Sequence, residues 1–232
     1  MDMNIRSSNS SPPKLISLDV GGTLGFAKGP TITNVLSRVS NLPKSDVHRI
    51  LRSTLHVTQN VTEVLIHKVC TMLGIDPALF PRNYVAPAFQ LYPQTLSSIT
   101  SLRKCAPLIT LSNVSCLDFK METLQEIIGD YISGQYPSCI LGYAKPDKRA
   151  FESIIRHHQT SISSLVHIGD NWECDIVGAI SAGAKAIWIA GKRTAPNEPN
   201  ICTDKLTIVE DLVEASEYLE SLVDTLSRNM IY

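Results

Sequence analysis

The sequence predicts an α/β protein: a doubly wound parallel sheet with helices on both faces, and an all-helical insertion after its first strand. Three observations predict it. Short apolar runs alternate with amphipathic stretches through the second half of the chain, the pattern of β-α units that pair in parallel. Three apolar runs, one of them near the start of the chain, end on a polar residue, at Asp19, Ser112 and Asp170. The stretch from about residue 26 to residue 92 has helical periodicity and no convincing strand.

In chain order, residues 1–13 are rich in Ser, Asn and Pro and lack the apolar segment of a secretory signal, so they are expected to form a disordered tail. Leu15-Ile16-Ser17-Leu18 is the first strand, and Asp19 stands at its end. Gly21-Gly22-Thr23 then allow the backbone to pack tightly around an anion or metal. In the insertion, Ser45 is placed as the cap of a helix with Val47, Ile50, Leu51 and Leu55 on one face. Asn60 is placed as the next cap, with Glu63 at the third helical position. Val61, Val64, Leu65, Val69, Met72 and Leu73 are expected inside, and Gly74 ends the helix.

The Pro-containing segment 84–93 returns the chain to the core. Strands follow at 108–111, 165–168 and 186–189. Helices are expected near 121–128, 147–157 and 175–182, the last closed by Gly183, and a final helix over 210–226. The expected organisation is therefore a tail (1–13), an α/β core (14–25 and 93–232) and a helical cap (26–92).

Composition narrows the functional classes. With 232 residues, 44% of them hydrophobic, the chain suits one α/β domain or a core with a small inserted module. A net charge of -1 and a pI near 6.6 argue against a nucleic-acid surface or a polybasic membrane surface. The apolar runs fall far short of the roughly 20 residues that span a bilayer. Six scattered cysteines without a C-x-x-C pair indicate a reduced, cytoplasmic protein. The expected partner is a small metabolite bound by a monomer or homodimer.

In an open α/β sheet, ligands bind beyond the carboxyl ends of the strands. Asp19, Ser112 and Asp170 all end strands there. Lys145 precedes a helix start in Gly142-Tyr143-Ala144-Lys145-Pro146-Asp147, and Asp175 opens the helix after Asp170. Carboxylates, a hydroxyl and a lysine in one crevice suit a metal and a phosphoryl group. Oxygen ligands hold Mg²⁺, while lysine and hydroxyl orient the non-bridging oxygens.

These residues carry a resemblance to the haloacid dehalogenase-like (HAD) superfamily of aspartate-nucleophile hydrolases, in the branch with a helical C1-type cap. The first motif is represented by Asp19, Gly21, Gly22 and Thr23, the second by Ser112-Asn113, the third by Lys145, and the fourth by Gly169-Asp170-Asn171 with Asp175. The resemblance spans about residues 15–222 and implies a HAD-like Rossmannoid core. It implies that Asp19 attacks phosphorus to form an aspartyl-phosphate. Ser112, Asn113, Lys145, Gly22 and Thr23 would grip the phosphorylated substrate. Mg²⁺ would be held by Asp19, the carbonyl of Gly21, Asp170 and Asp175, the last as ligand or outer partner.

The sequence departs from the pattern at Gly21, where family phosphatases carry a second aspartate as acid and base. Its loss typically costs about 10²–10⁴ in rate. Three other functions fit that departure. One is a HAD-fold pseudoenzyme with a binding role. Another is a dehalogenase- or phosphonatase-like hydrolase, the latter needing a cap lysine such as Lys28, Lys44 or Lys68. The third rests on the likeness of D-x-G-G-T to the phosphate loop of actin-fold sugar kinases, which the helical insertion opposes.

Other residues have plainer readings. Trp172 is as much a packing residue as a pocket residue. Phe26 and Lys28 are substrate-contact candidates at the entrance to the cap. His48, His56 and His67 are expected to be solvated or half-buried cap histidines.

Overall fold

A computed structural model describes residues 11–197 and 201–229. Most of the expected tail lies outside the described residues; at its end Pro13 is already buried, and the Lys14 N–H donates to the Ser164 carbonyl at 3.0 Å. The strands are β1 (Leu15–Leu18), β2 (Gly25–Ala27), β3 (Phe89–Leu91), β4 (Leu108–Ser112), β5 (Gln135–Pro137), β6 (Leu165–Gly169), β7 (Lys185–Ile189) and β8 (Leu206–Val209). Six of them form one sheet in the order β5-β4-β1-β6-β7-β8. Every pairing in it is parallel.

The helices are α1 (Ile32–Val39), α2 (Lys44–Arg52), α3 (Glu63–Leu73), α4 (Thr95–Cys105), α5 (Met121–Ile128), α6 (Ser138–Leu141), α7 (Lys148–His157), α8 (Gly178–Ala182) and α9 (Leu212–Asn229). A wide π turn, Trp172–Val177, leads into α8. Among the described residues no helix is long and apolar enough to cross a membrane.

The sheet's central strands are buried on both faces, as parallel strands between helix layers are. Their two-residue period divides the core. Ile16 and Leu18 join Ile99, Leu102 and Leu219 on one face, whereas Leu15 joins Ile109, Phe151 and Ile154 on the other. The helix α7 starts where Asp147 accepts from the Arg149 N–H at 2.9 Å. As expected, Gly183 closes α8 in the left-handed region.

Helices α1–α3 lie between β2 and β3 and enclose their own apolar cluster. Ile32, Leu36, Val47, Leu51, Leu55, Val69 and Cys70 are its most buried members. Several sequence expectations need correction here. Two strands, β2 and β3, flank these helices as an antiparallel pair, in a stretch read as strand-free; three residues are too few for alternation to register. Ser45 does not cap α2, because Pro43 occupies that position and the helix begins at Lys44. Thr62, not Asn60, caps α3, accepting from the Leu65 N–H at 3.2 Å. Glu63 is then the first helical residue, and the buried stripe of α3 runs through Ile66, Val69, Cys70 and Leu73, so Val64 and Met72 are exposed rather than inside. Gly74 does end α3, at φ 65°.

Candidate active site

The strand ends bring the predicted residues, except the buried Thr23, to the lining of one cavity of about 830 Å³. Asp19, Gly21, Gly22, Ser112, Asn113, Lys145, Asp170 and Asp175 all line it, and Phe26, Thr33 and His56 line it from the insertion. Asp19 continues the parallel ladder one residue past β1, its N–H donating to the Ile168 carbonyl at 2.9 Å. Thr23 Oγ1 makes a long 3.5 Å contact to Asp19 Oδ2.

Lys145 organises the floor. Its side chain is 1% exposed. It donates to Asp19 Oδ1 at 2.8 Å and to the Leu111 carbonyl at 2.6 Å, and pairs with Asp175 Oδ1 at 2.7 Å. An ammonium has three donors, and these partners use all three. Asn113 fixes the lysine's backbone: its Oδ1 accepts from the Lys145 N–H at 2.8 Å and its Nδ2 donates to the Lys145 carbonyl at 2.7 Å. The Asn113 side chain is thus engaged with Lys145, while Ser112 stands half-buried at the cavity wall.

Asp175 takes three donors. Oδ1 receives Lys145 and lies 3.3 Å from His167 Nε2, while Oδ2 accepts from the Asn171 N–H at 2.8 Å. Asp170 is more open. The Trp188 indole donates to its carbonyl at 3.0 Å, and Arg193 approaches its carboxylate at 3.8 Å.

The glycines divide by need. At Gly22, φ is 91° and a Cβ would stand 2.7 Å from the Asp170 carboxylate. At Gly169, a Cβ would stand 2.4 Å from Asp175 Cγ. Both close approaches require glycine. Gly21 is different: its φ lies outside the left-handed region, and no atom lies within 4 Å of where a Cβ would be.

Charge is unbalanced at this floor. Burial pushes the Asp19 carboxyl up to about 7 against the pull of Lys145, with Asp175 pushing the same way as burial. Burial alone would raise Asp175, but Lys145 and His167 hold it well below the usual carboxylate range. Burial opposes the Lys145 charge, and Asp175 and Asp19 overcome it and push its pKa up. Burial also raises Asp170. Among the described residues, Asp19, Asp170 and Asp175 each offer a carboxylate oxygen within 4.8 Å of the other two. Three hard oxygen donors facing one ammonium fit a divalent cation of the Mg²⁺ type.

Several residues outside the sequence reading also meet here. Ser17 and His167 lie beneath Asp175, and Arg193 stands beside Asp170. The first two were visible as polar interruptions of apolar strands; Arg193 carried no signal. Trp172 does not line the cavity and packs against Trp188 at 4.8 Å between ring centroids. Lys28, Lys44, Lys68, His48 and His67 are not among the lining residues.

Comparison with known proteins gives a consistent fold. The HAD-hydrolase-like family model matches residues 142–215, the stretch that holds Lys145, Asp170 and Asp175. No curated protein matches in sequence. A 2-haloacid dehalogenase from Pseudomonas syringae pv. tomato is similar at TM-score 0.61 and 20% identity, covering 90% of this chain and 99% of its own. The putative HAD-hydrolase YfnB from Bacillus subtilis, bound to magnesium, is similar at TM-score 0.56 and 17% identity, covering 90% and 99%. A HAD phosphatase from Thermococcus onnurineus is similar at TM-score 0.53 and 20% identity, covering 89% and 97%. At these identities the likeness carries the fold.

Proposed function

We propose that this chain, a haloacid dehalogenase-like hydrolase by its fold and its 142–215 pattern, is a Mg²⁺-dependent phosphohydrolase of small phosphorylated metabolites. The observation that carries the reading is Lys145 bridging Asp19 and Asp175 in the cavity that Asp170 and Ser112 also line. Dehalogenation of a carbon–halogen bond needs a carboxylate nucleophile but not a three-carboxylate cluster, so the cluster favours phosphoryl chemistry.

In this reading Asp19 attacks phosphorus, the bond to the leaving oxygen breaks, and an aspartyl-phosphate forms. Lys145 holds the attacking carboxylate in place and its positive charge offsets that of the phosphoryl group, and the Ser112 hydroxyl donates to a non-bridging oxygen. Asp19, Asp170 and the Gly21 carbonyl would hold Mg²⁺, which when bound offsets the negative charge of the carboxylates and the phosphoryl group. Water then cleaves the aspartyl-phosphate and releases inorganic phosphate. No side chain at position 21 protonates the leaving group, so substrates whose leaving groups are weakly basic, such as acyl and aryl phosphates, are turned over best.

The test is phosphate release from acetyl phosphate and p-nitrophenyl phosphate with and without Mg²⁺, for the wild type and Asp19→Asn. Mg²⁺-dependent release in the wild type alone is the expected result. No release, or equal release by Asp19→Asn, overturns the reading. Metal-independent turnover of a 2-haloacid would replace it with dehalogenation.

A further inference from the structure

Ser17 and His167 lie beneath the cavity, on β1 and β6, and their backbones are partners across the sheet. Both are 0% exposed. Ser17 Oγ is 2.7 Å from His167 Nδ1, and His167 Nε2 is 3.3 Å from Asp175 Oδ1. Phe151 packs edge-on against the imidazole at 5.3 Å. Burying a hydroxyl and an imidazole costs free energy unless both are hydrogen-bonded. Even when bonded, the pair is close to neutral against apolar residues of the same shape. Stability of the sheet alone therefore gives no reason for polar residues at these two positions, and their reason is Asp175.

The contacts determine the state of the ring. An ionised carboxylate only accepts, and Lys145 and the Asn171 N–H keep Asp175 ionised. Nε2 must then carry the hydrogen. A neutral ring has one N–H, so Nδ1 is bare and accepts the Ser17 hydroxyl hydrogen. With the ring fully buried and the Lys145 ammonium on the same carboxylate oxygen, a second charge on the ring would be costly, which leaves the neutral form.

We infer that Ser17 and His167 are positioning residues of this site. Ser17 fixes the imidazole tautomer, and the His167 Nε2–H fixes the Asp175 carboxylate. Asp175 in turn anchors Lys145 against Asp19 and the Asn171 N–H next to Asp170. With three protein donors on its two oxygens, Asp175 acts as a counter-charge and anchor, leaving Asp19 and Asp170 to face the cation. The inference deepens the proposed function and rests on it for the roles of Asp19 and Lys145.

One arm of the test does not depend on turnover. Nitrogen-15 NMR of histidine-labelled, metal-free protein should show His167 as the neutral Nε2–H tautomer. Ser17→Ala should displace its Nδ1 resonance. An Nδ1–H tautomer, or an unmoved resonance in Ser17→Ala, overturns the inference.

The second arm compares His167→Leu, which removes the donor, with His167→Gln, whose amide keeps one for Asp175. His167→Leu should lose about 10–100-fold in Mg²⁺ affinity or in kcat, as the loss of an outer-shell partner does, with KM little changed. His167→Gln should recover most of that loss. Equal behaviour of the two variants overturns the inference. If His167→Leu does not fold, Ser17→Ala decides, with a loss of about 10-fold in kcat expected and an unchanged kcat overturning it. A wild type inactive on every phosphate defeats the proposed function alone, because the resonances and the Mg²⁺ titration still decide this one.

Discussion

At the floor of the cavity, Lys145 and Asp175 are each 1% exposed and held by protein groups on every side the structure describes. At its roof, α1–α3 close over an apolar cluster of their own and reach the core through side chains that water also touches. Arg52 pairs with Glu173 at 2.8 Å, with side chains 18% and 62% exposed, and its other nitrogen lies 3.1 Å from Cys174 Sγ. The Gln59 amide donates to the Ile140 carbonyl at 3.2 Å. Asp118 accepts from the Ile32 N–H at the start of α1 at 3.2 Å, and from the Tyr84 hydroxyl. A charge network in a dry interior tolerates no missing member, whereas exposed polar contacts can be exchanged with water at small cost. The floor is therefore rigid, and the roof is docked.

The largest effect that would break this contrast is at Lys145. Lys145→Met leaves Asp19 and Asp175 buried without their ammonium. Urea unfolding of the metal-free protein should show a loss of about 3–5 kcal/mol, as breaking a buried pair does. A loss no larger than that of a surface pair would remove the distinction between floor and roof.

The roof has a buried histidine, and it gives the next effect. His56 is 8% exposed; its Nε2 lies 3.0 Å from Thr33 Oγ1, and its Nδ1 has no partner among the described residues. Burial, with His48 and Arg52 adding, pushes its pKa down to about 4. The unfolded chain titrates near 6.5, so between these values the unfolded state binds the extra proton. Stability should therefore fall as pH drops from about 6.5 through 4, by up to about 3 kcal/mol. Melting curves at pH 7.5 and 4.5 should fall further apart in the wild type than in His56→Leu; equal gaps would remove His56 as the cause.

A smaller effect sharpens the reading of the floor. Gly21→Asp places a carboxylic acid where no atom lies within 4 Å of the new Cβ. Turnover of alkyl phosphates should rise by up to about 10²-fold, with little change for aryl phosphates, which need no protonation. A series of kcat/KM values against leaving-group pKa for both proteins measures this. A flat wild-type series with no gain in the variant would mean that the chemistry does not depend on position 21.

The smallest effect belongs to the docking contacts. Arg52→Ala should cost about 1 kcal/mol or less, as partly exposed ion pairs do. A larger loss of melting temperature than at Lys145 would invert the comparison.

The floor was legible in the sequence because three of its residues end apolar runs, Asp19 after β1, Ser112 closing β4 and Asp170 after β6, while Lys145 and Asp175 stand at helix starts beside them. Their convergence follows from parallel strands sharing one carboxyl edge. What escaped has physical reasons. The strand β5 has three residues, one a proline, and β8 leaves Ile208 half in water at the sheet edge. Neither resembles a buried run. The α3 cap lies two residues beyond the first plausible polar residue, a distance that local propensity does not resolve. Ser17 and His167 are polar residues in apolar strands, but nothing local pairs them: their meeting is a contact across 150 positions, which only the fold supplies.

Position 21 also has a meaning for descent. Two of the four glycine codons differ from an aspartate codon by one base, and neither the backbone angle nor the packing at Gly21 demands glycine. No refolding or repacking separates this chain from one that carries the acid. The glycine is then a feature the architecture permits without enforcing. A lineage built on this fold can move between the two forms in a single mutational step, with selection on the substrate deciding which form persists.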